Sequence, residues 1–253
     1  MPEPAVRMSA VIDLARARIL RNLTDWTYKH FWTHEQHPYA LLRRRLRELA
    51  APGMTILDAV CGHTAPNLQE LRNSGAKLIG VDLVRLEPQD GMELIESDLG
   101  AIPLPDGSVG LIYSRSVMEH VVNPDFIYAE SARLLKAGGR WIFLTANRWD
   151  YVSLISRMTP NRFHAAIVRR MEGREEFDVF PTAYKTNDRR QIAHYAEAHG
   201  FRIERFERHG QYPAMFYEVG PLFLLATFYE KMIMKLRLLA WARGWLYVEL
   251  VKR

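Results

Sequence analysis

The chain has 253 residues, 48% of them hydrophobic and 25% charged, the balance of a packed globular protein rather than a disordered or fibrous one. Its single cysteine, Cys61, excludes an intramolecular disulfide and a cysteine-rich metal site, which suits a reducing compartment. The formal charge of +5 arises from scattered basic residues with short clusters at 43–45, 169–170 and 189–190; no recognition motif accompanies them, so they read as solvated helix faces, and no nucleic-acid partner is expected.

Met1-Pro-Glu-Pro lacks the basic start and apolar run of a secretory signal, and the longest apolar run, 221–229, is far short of the ~20 residues a spanning helix needs. A cytoplasmic protein is expected, with peripheral membrane contact as the variant to consider. In chain order, 6–23 and 39–50 carry apolar residues at helical steps, with an aromatic and histidine-rich segment, 26–37, between them. Pro52-Gly53 closes this helical region. Strands are then predicted at 55–58, 77–82, 92–96, 109–113 and 140–145, separated by helices at 66–74 and 123–135. The second of these helices has Asn123 as its N-cap, Pro124 at its first position and Gly138-Gly139 beyond its end. A helix at 188–199 precedes a sixth strand at 201–206; a helical excursion at 219–243 leads to a seventh at 244–252. The fold class is α/β: a Rossmann-like, mostly parallel seven-stranded sheet with helices on both faces, an N-terminal helical cap and lid insertions.

In such a sheet ligands bind beyond the carboxyl ends of the strands. Acids stand at three consecutive ends. Asp58-Ala-Val-Cys-Gly62 forms the first turn, where Gly62 lets the backbone approach a ligand. Asp82 ends the second strand, where a carboxylate can accept both hydroxyls of a ribose. Asp98 follows the third, placed to accept from a purine amine while the Leu99 amide meets a ring nitrogen. Helix capping explains any one of these acids well and all three less well.

The ordered set Ile56-Leu-Asp-Ala-Val-Cys-Gly62, Gly80-Val-Asp82, Asp98-Leu-Gly-Ala-Ile-Pro-Leu-Pro-Asp-Gly-Ser108, Ser116-Val-Met-Glu-His-Val121 and Arg133-Leu-Leu-Lys-Ala-Gly-Gly139 resembles the successive motifs of class I S-adenosylmethionine-dependent methyltransferases, from about residue 54 to 147. The match is nearest to the branch acting on small molecules, quinones and saccharides. The resemblance implies S-adenosylmethionine as cofactor, held by Asp58, Ala59, Val60, Cys61 and Gly62 around its methionine part, by Asp82 and Leu83 at the ribose and by Asp98 and Leu99 at adenine, with Ser114 and Arg115 bordering the methyl group. The leading expectation is methylation of a hydroxyl, with an amine or a carbon less favoured, on a small-molecule or lipid-linked acceptor. The division that follows is a cap (1–52), a donor-binding half (53–147), a lid insertion (148–186) and a C-terminal half (187–253).

One departure stands in the first turn, where Val60 and Thr64 replace glycines usual in the family. A β-branched residue is not expected to take positive φ, so the turn is either rearranged or a weaker donor site. That departure motivates the alternative of a degenerate, methyltransferase-fold binding or scaffold module. A nicotinamide oxidoreductase is a third reading, disfavoured because no G-x-G-x-x-G follows the first strand.

His120 is the candidate general base, set against a purely structural histidine, and Glu119 reads as structural. Tyr28, Arg148, His164 and Tyr184 are candidate acceptor contacts, with simple packing the competing reading. His30, His34 and His37 could share a helix face as metal ligands, but no carboxylate pattern beyond Glu35 supports this, so no metal is expected; with Tyr28 and Trp32 they are expected to cover the cleft entrance. A thiol of Cys61 activated by His63 is the improbable reading. Residues 222–241 mix large apolar and basic side chains, which suits packing or a homodimer first and a membrane surface second.

Overall fold

In the computed structural model, residues 20–32, 37–158 and 181–253 are described. Residues 20–31 are helical (α1) and Pro38–Leu49 forms α2. The strands are β1 (Thr55–Ala59), β2 (Lys77–Asp82), β3 (Met92–Glu96), β4 (Val109–Arg115), β5 (Leu135–Ala146), β6 (Phe201–His209) and β7 (Trp245–Lys252). Between them lie α3 (Pro66–Gln69), α4 (Pro124–Leu134), α5 (Tyr151–Met158), α6 (Arg189–Ala198) and α7 (Gly220–Lys235). One sheet runs in the order β3-β2-β1-β4-β5-β7-β6, with β7 antiparallel to both neighbours and the other pairs parallel. The order reverses between β1 and β4, and the crevice at that reversal is where a ligand finds room.

Both sheet faces are covered, which is why the strands read as nearly continuous apolar runs. Leu57, Ile79, Ile112 and Phe143 pack with α4 and α6 on one face; Ile56, Leu78, Leu111 and Ile142 pack with α2 and α3 on the other. α2 is fastened to the sheet through buried Glu249 of β7, which accepts a two-pronged pair of hydrogen bonds from Arg45 at 2.8 and 3.2 Å and a third from the Tyr247 hydroxyl at 2.5 Å. The remaining basic residues of α2 meet acids at its surface: Arg43 and Arg47 face Glu70, and Arg44 faces Glu48.

Four sequence expectations need correcting. The helix expected over 66–74 breaks into α3 and a 3₁₀ turn, Arg72–Ser74. Asn123 does not cap α4 with its side chain. Gly138-Gly139 lies inside β5, in a bulge that shifts its register on β4 between Val109 and Leu111, and a Cβ on Gly139 would sit 2.8 Å from the Lys136 carbonyl. The helical excursion also divides: α7 ends at Lys235, Leu236 is extended, and a 3₁₀ helix runs over Arg237–Ala242.

Candidate donor and acceptor site

The first turn holds its shape through β2. The amides of Val60 and Cys61 both donate to the Val81 carbonyl, at 2.8 and 3.1 Å. The Gly62 amide donates to Asp82 Oδ2 at 2.7 Å, while the Leu83 and Val84 amides donate to Oδ1 at 2.7 and 3.3 Å. Asp82 is thus a buried, oriented carboxylate whose two oxygens lie against the turn. Val60 takes φ 76° and Gly62 φ 71°, so the valine keeps the left-handed backbone that glycine adopts freely. Of the two expectations, a rearranged turn or a weaker donor site, the left-handed backbone at Val60 speaks against the first. A Cβ built on Gly62 meets nothing within 4 Å, so there is open space above it, and Gly80 lets Cys61 pack beneath, where a Cβ would lie 2.8 Å from the sulfur.

Asp58 points below the turn. It faces Tyr113, its register partner on β4, and accepts the Tyr113 hydroxyl at 2.7 Å. Burial raises its carboxyl to about 7, against the opposing pull of the Tyr113 bond and the Arg115 charge. Its place in the site is therefore support under the turn, with Ala59 buried beside it. Cys61 is buried, its thiol raised to about 12 by burial and by the neighbouring Asp58 and Asp82, and His63 is bonded to the Arg85 carbonyl at 2.8 Å. The turn presents no activated thiol.

Asp98 lies two residues past β3 in a local turn, accepting the Gly100 amide on Oδ1 at 2.7 Å, and the Ser97 amide donates to the Asp82 carbonyl at 3.0 Å, which sets the two acids on one edge of the sheet. Leu99, Ser114, Val117 and Met118 line a cavity of about 10 Å³ between the sheet and α4, room for about one water. Ser114 Oγ is buried there without a hydrogen-bond partner. Successive strand residues face opposite sides, so Arg115 points instead toward α2, its guanidinium 4.4 Å from the Tyr39 ring centre and 3.3 Å from Asn67 Oδ1. The Tyr39 hydroxyl lies 3.1 Å from the Ser116 hydroxyl, and Ser116 takes φ 57°. Sequence reasoning missed Tyr39, Asn67 and Tyr113. Only the register of β1 on β4 and the docking of α2 bring them here, although Tyr113 shares a strand with two residues that were noticed.

Beyond the end of β4 the structure gathers the candidate residues Glu119, His120 and Tyr184. Buried Glu119 accepts the Thr145 hydroxyl at 2.6 Å, and its carbonyl receives the amides of Ala183 and Tyr184. His120 Nδ1 lies 3.2 Å from the Pro181 carbonyl. Tyr184 is buried with φ 49°. Arg148 is engaged elsewhere, 3.5 Å from Asp188 at the start of α6, and Tyr28 packs edge-on to Tyr212. His164, His34 and Glu35 lie outside the described residues. Of the other histidines, His30 bonds the Trp26 carbonyl within α1, and His37 accepts the Tyr39 amide as the cap of α2. Trp32 is buried and donates to Thr227 at 3.2 Å, which corrects its expected place at the cleft entrance. Among the described residues no three His, Cys, Asp or Glu side chains gather as a metal site, and no helix is long and apolar enough to cross a membrane.

With this geometry in view, residues 57–143 match the family model described as a methyltransferase domain. Residues 57–143 therefore form a methyltransferase domain of the class I S-adenosylmethionine-dependent type. A probable S-adenosylmethionine-dependent methyltransferase of Mycolicibacterium smegmatis is 26% identical over 78% of this chain and 74% of its own length. A ubiquinone biosynthesis O-methyltransferase of Nitrosococcus oceani is 34% identical over 38% of this chain and 45% of its own. Several of the curated relatives are likewise covered over less than half of their length. The fold is shared with a geranyl diphosphate C-methyltransferase of Streptomyces coelicolor solved with Mg2+, geranyl-S-thiolodiphosphate and S-adenosyl-L-homocysteine, at TM-score 0.56 and 13% identity, covering 85% of this chain and 76% of that one. In this methyltransferase family the donor is S-adenosylmethionine, and the residues present fit it: an open turn in left-handed backbone, a buried carboxylate at the end of β2 and a second acid just past β3.

Proposed function

We propose that this chain transfers a methyl group from S-adenosylmethionine to a hydroxyl of a small-molecule or lipid-linked acceptor. The observation that carries the reading is the first turn: Val60 holds positive φ and the Gly62 amide grips Asp82, so the donor cradle persists despite the lost glycine. The same observation speaks against the degenerate scaffold, whose motive was a turn that could not form.

The donor supplies a methyl carbon on a positively charged sulfur, and its displacement in line requires chiefly positioning and exclusion of water. Asp82 receives the ribose hydroxyls, Asp98 and the Leu99 amide hold adenine, and Val60 to Gly62 run along the amino-acid end. Arg115, stacked on Tyr39, closes the α2 side. His120 removes the acceptor proton. A carbonyl only accepts, so in the neutral ring the contact with Pro181 makes Nδ1 the N–H and leaves the lone pair on Nε2, the form a base requires. Tyr184, with residues 148–158 and 181–186, forms the acceptor-side cover.

Calorimetry with S-adenosylmethionine and S-adenosylhomocysteine tests the donor site. Wild type binds both, and Asp82→Ala loses affinity by roughly tenfold or more while keeping its circular dichroism. No binding of millimolar donor by wild type removes the enzyme reading in favour of a scaffold. His120→Ala then keeps donor affinity and loses ~10²-fold or more in turnover; normal turnover makes His120 structural.

A further inference from the structure

We propose that α7 and the 3₁₀ turn after it dock on an anionic membrane surface and bring a lipid-borne acceptor to the cleft. Unlike an ordinary surface helix, α7 carries apolar side chains on its outward face as well as its inward one. Its inward face is Phe223, Ala226, Thr227, Glu230 and Ile233, so its only acid is buried. Its outward face, at steps of three and four, is Leu222, Leu225, Phe228, Met232 and then Leu236, all exposed, with Leu225 at 66% and Phe228 at 53%. Leu238, at 91%, and Trp241, at 52%, extend the stripe onto the following turn. An apolar stripe this continuous marks an interaction surface.

The charges around it name the partner. Between residues 219 and 242 the charged side chains are Glu230, Lys231, Lys235 and Arg237. Glu230 is fully buried, Lys231 lies 3.8 Å over the Trp32 ring, and Lys235 and Arg237 are exposed beside the leucines. The exposed charges beside the stripe, Lys235 and Arg237, are therefore positive, the complement of an anionic headgroup layer, and the exposed acid just before α7, Glu218, is paired with Arg21 of α1. On α1, exposed Trp26 packs against Phe31, which in turn meets Phe228 at 5.5 Å, widening the face with rings suited to the boundary between acyl chains and headgroups.

The position suits delivery. His209 of β6 pairs with Trp245 of β7, so the excursion leaves and rejoins the sheet at the edge that carries the cleft. Asn147, just past β5, donates to the Trp241 and Arg243 carbonyls at 2.7 and 2.8 Å, tying the apolar turn to the acceptor side. What the docking serves rests on the methyltransferase reading, but vesicle binding is measured without donor or acceptor, so the two fail separately.

The test is flotation of the full chain with vesicles of phosphatidylcholine alone and of phosphatidylcholine mixed with phosphatidylserine. The protein floats with the mixed vesicles, less so at raised ionic strength. Leu225→Asp/Phe228→Asp lowers partition at least roughly tenfold on either vesicle, and Lys235→Glu/Arg237→Glu lowers it roughly tenfold on the anionic vesicles alone. Both variants keep wild-type melting and donor affinity. No flotation of wild type with the mixed vesicles overturns the proposal. So does a stable dimer by light scattering that Leu225→Asp/Phe228→Asp dissolves, since the face is then a protein interface.

Discussion

Replacing Val60 by glycine and, separately, by alanine gives opposite orders of stability depending on the backbone at that site. At ordinary negative φ, alanine stabilises relative to glycine by ~0.5–1 kcal/mol, because glycine loses more freedom on folding. Val60 sits at φ 76°, where any Cβ costs ~1–2 kcal/mol. Valine and alanine bear that cost and glycine does not. The order therefore inverts, with the glycine variant more stable than the alanine variant by about 0.5–1 kcal/mol. Against wild type, glycine recovers the strain but loses the contacts of a side chain that is 38% exposed, about 1 kcal/mol of the ~1.5–3 for full burial, together with the entropy difference. Val60→Gly thus lies within about 1 kcal/mol of wild type. Val81→Gly, where the residue is fully buried in β2, costs about 3 kcal/mol. Urea denaturation of the four proteins measures these differences, and calorimetry follows donor affinity, which rises in Val60→Gly as bulk leaves the turn. An alanine variant more stable than the glycine variant refutes the left-handed assignment and with it the intact cradle.

The other predictions concern buried charge. Burial raises Glu230 to about 8, so the folded protein binds a proton that the unfolded chain has released above about 4.5. The stability this contributes is complete below the unfolded value and is lost as pH rises toward 8. Glu230→Gln does not titrate, so its stability relative to wild type rises by about 3 kcal/mol between pH 5 and pH 8, read from urea midpoints at the two values; a constant difference contradicts the assignment. Glu249→Ala leaves the Tyr247 hydroxyl without its acceptor and Arg45 with only exposed Glu48, and destabilises by about 3 kcal/mol in thermal or urea unfolding. Because α2 carries Tyr39 over the cleft, weaker donor binding accompanies the loss.

The sheet was legible because its strands are buried on both faces and so appear as apolar runs. Seven strands in α/β order, and the acids at the ends of β1, β2 and β3, follow from periodicity and punctuation alone. What was not legible depends on register and on backbone energetics. Asp58 and Tyr113 are fifty-five positions apart and meet only because β1 pairs with β4 in one particular register. Arg148 looked like an acceptor contact because it follows a strand end, and the nearness of Asp188 comes only from the docking of α6. Val60 was expected to disfavour the turn by its local preference, yet two hydrogen bonds to Val81 and the Gly62 bond to Asp82 hold the path. Gly138-Gly139 looked like the stop after a helix and is a strand bulge, since the same two residues serve both purposes.

The excursion between β6 and β7 begins and ends on paired residues, His209 and Trp245, and Gly244 accommodates the Gln211 side chain where a Cβ would lie 2.6 Å from it. Its two ends are thus already closed against each other by the hairpin ladder, whatever lies between them. Lengthening, shortening or replacing the intervening segment costs little in chain entropy and leaves the pairing of β7 with β5 as it stands. On the proposed function, preference for one acceptor or another can drift through this span, while the half proposed to grip the nucleoside stays under its own constraints.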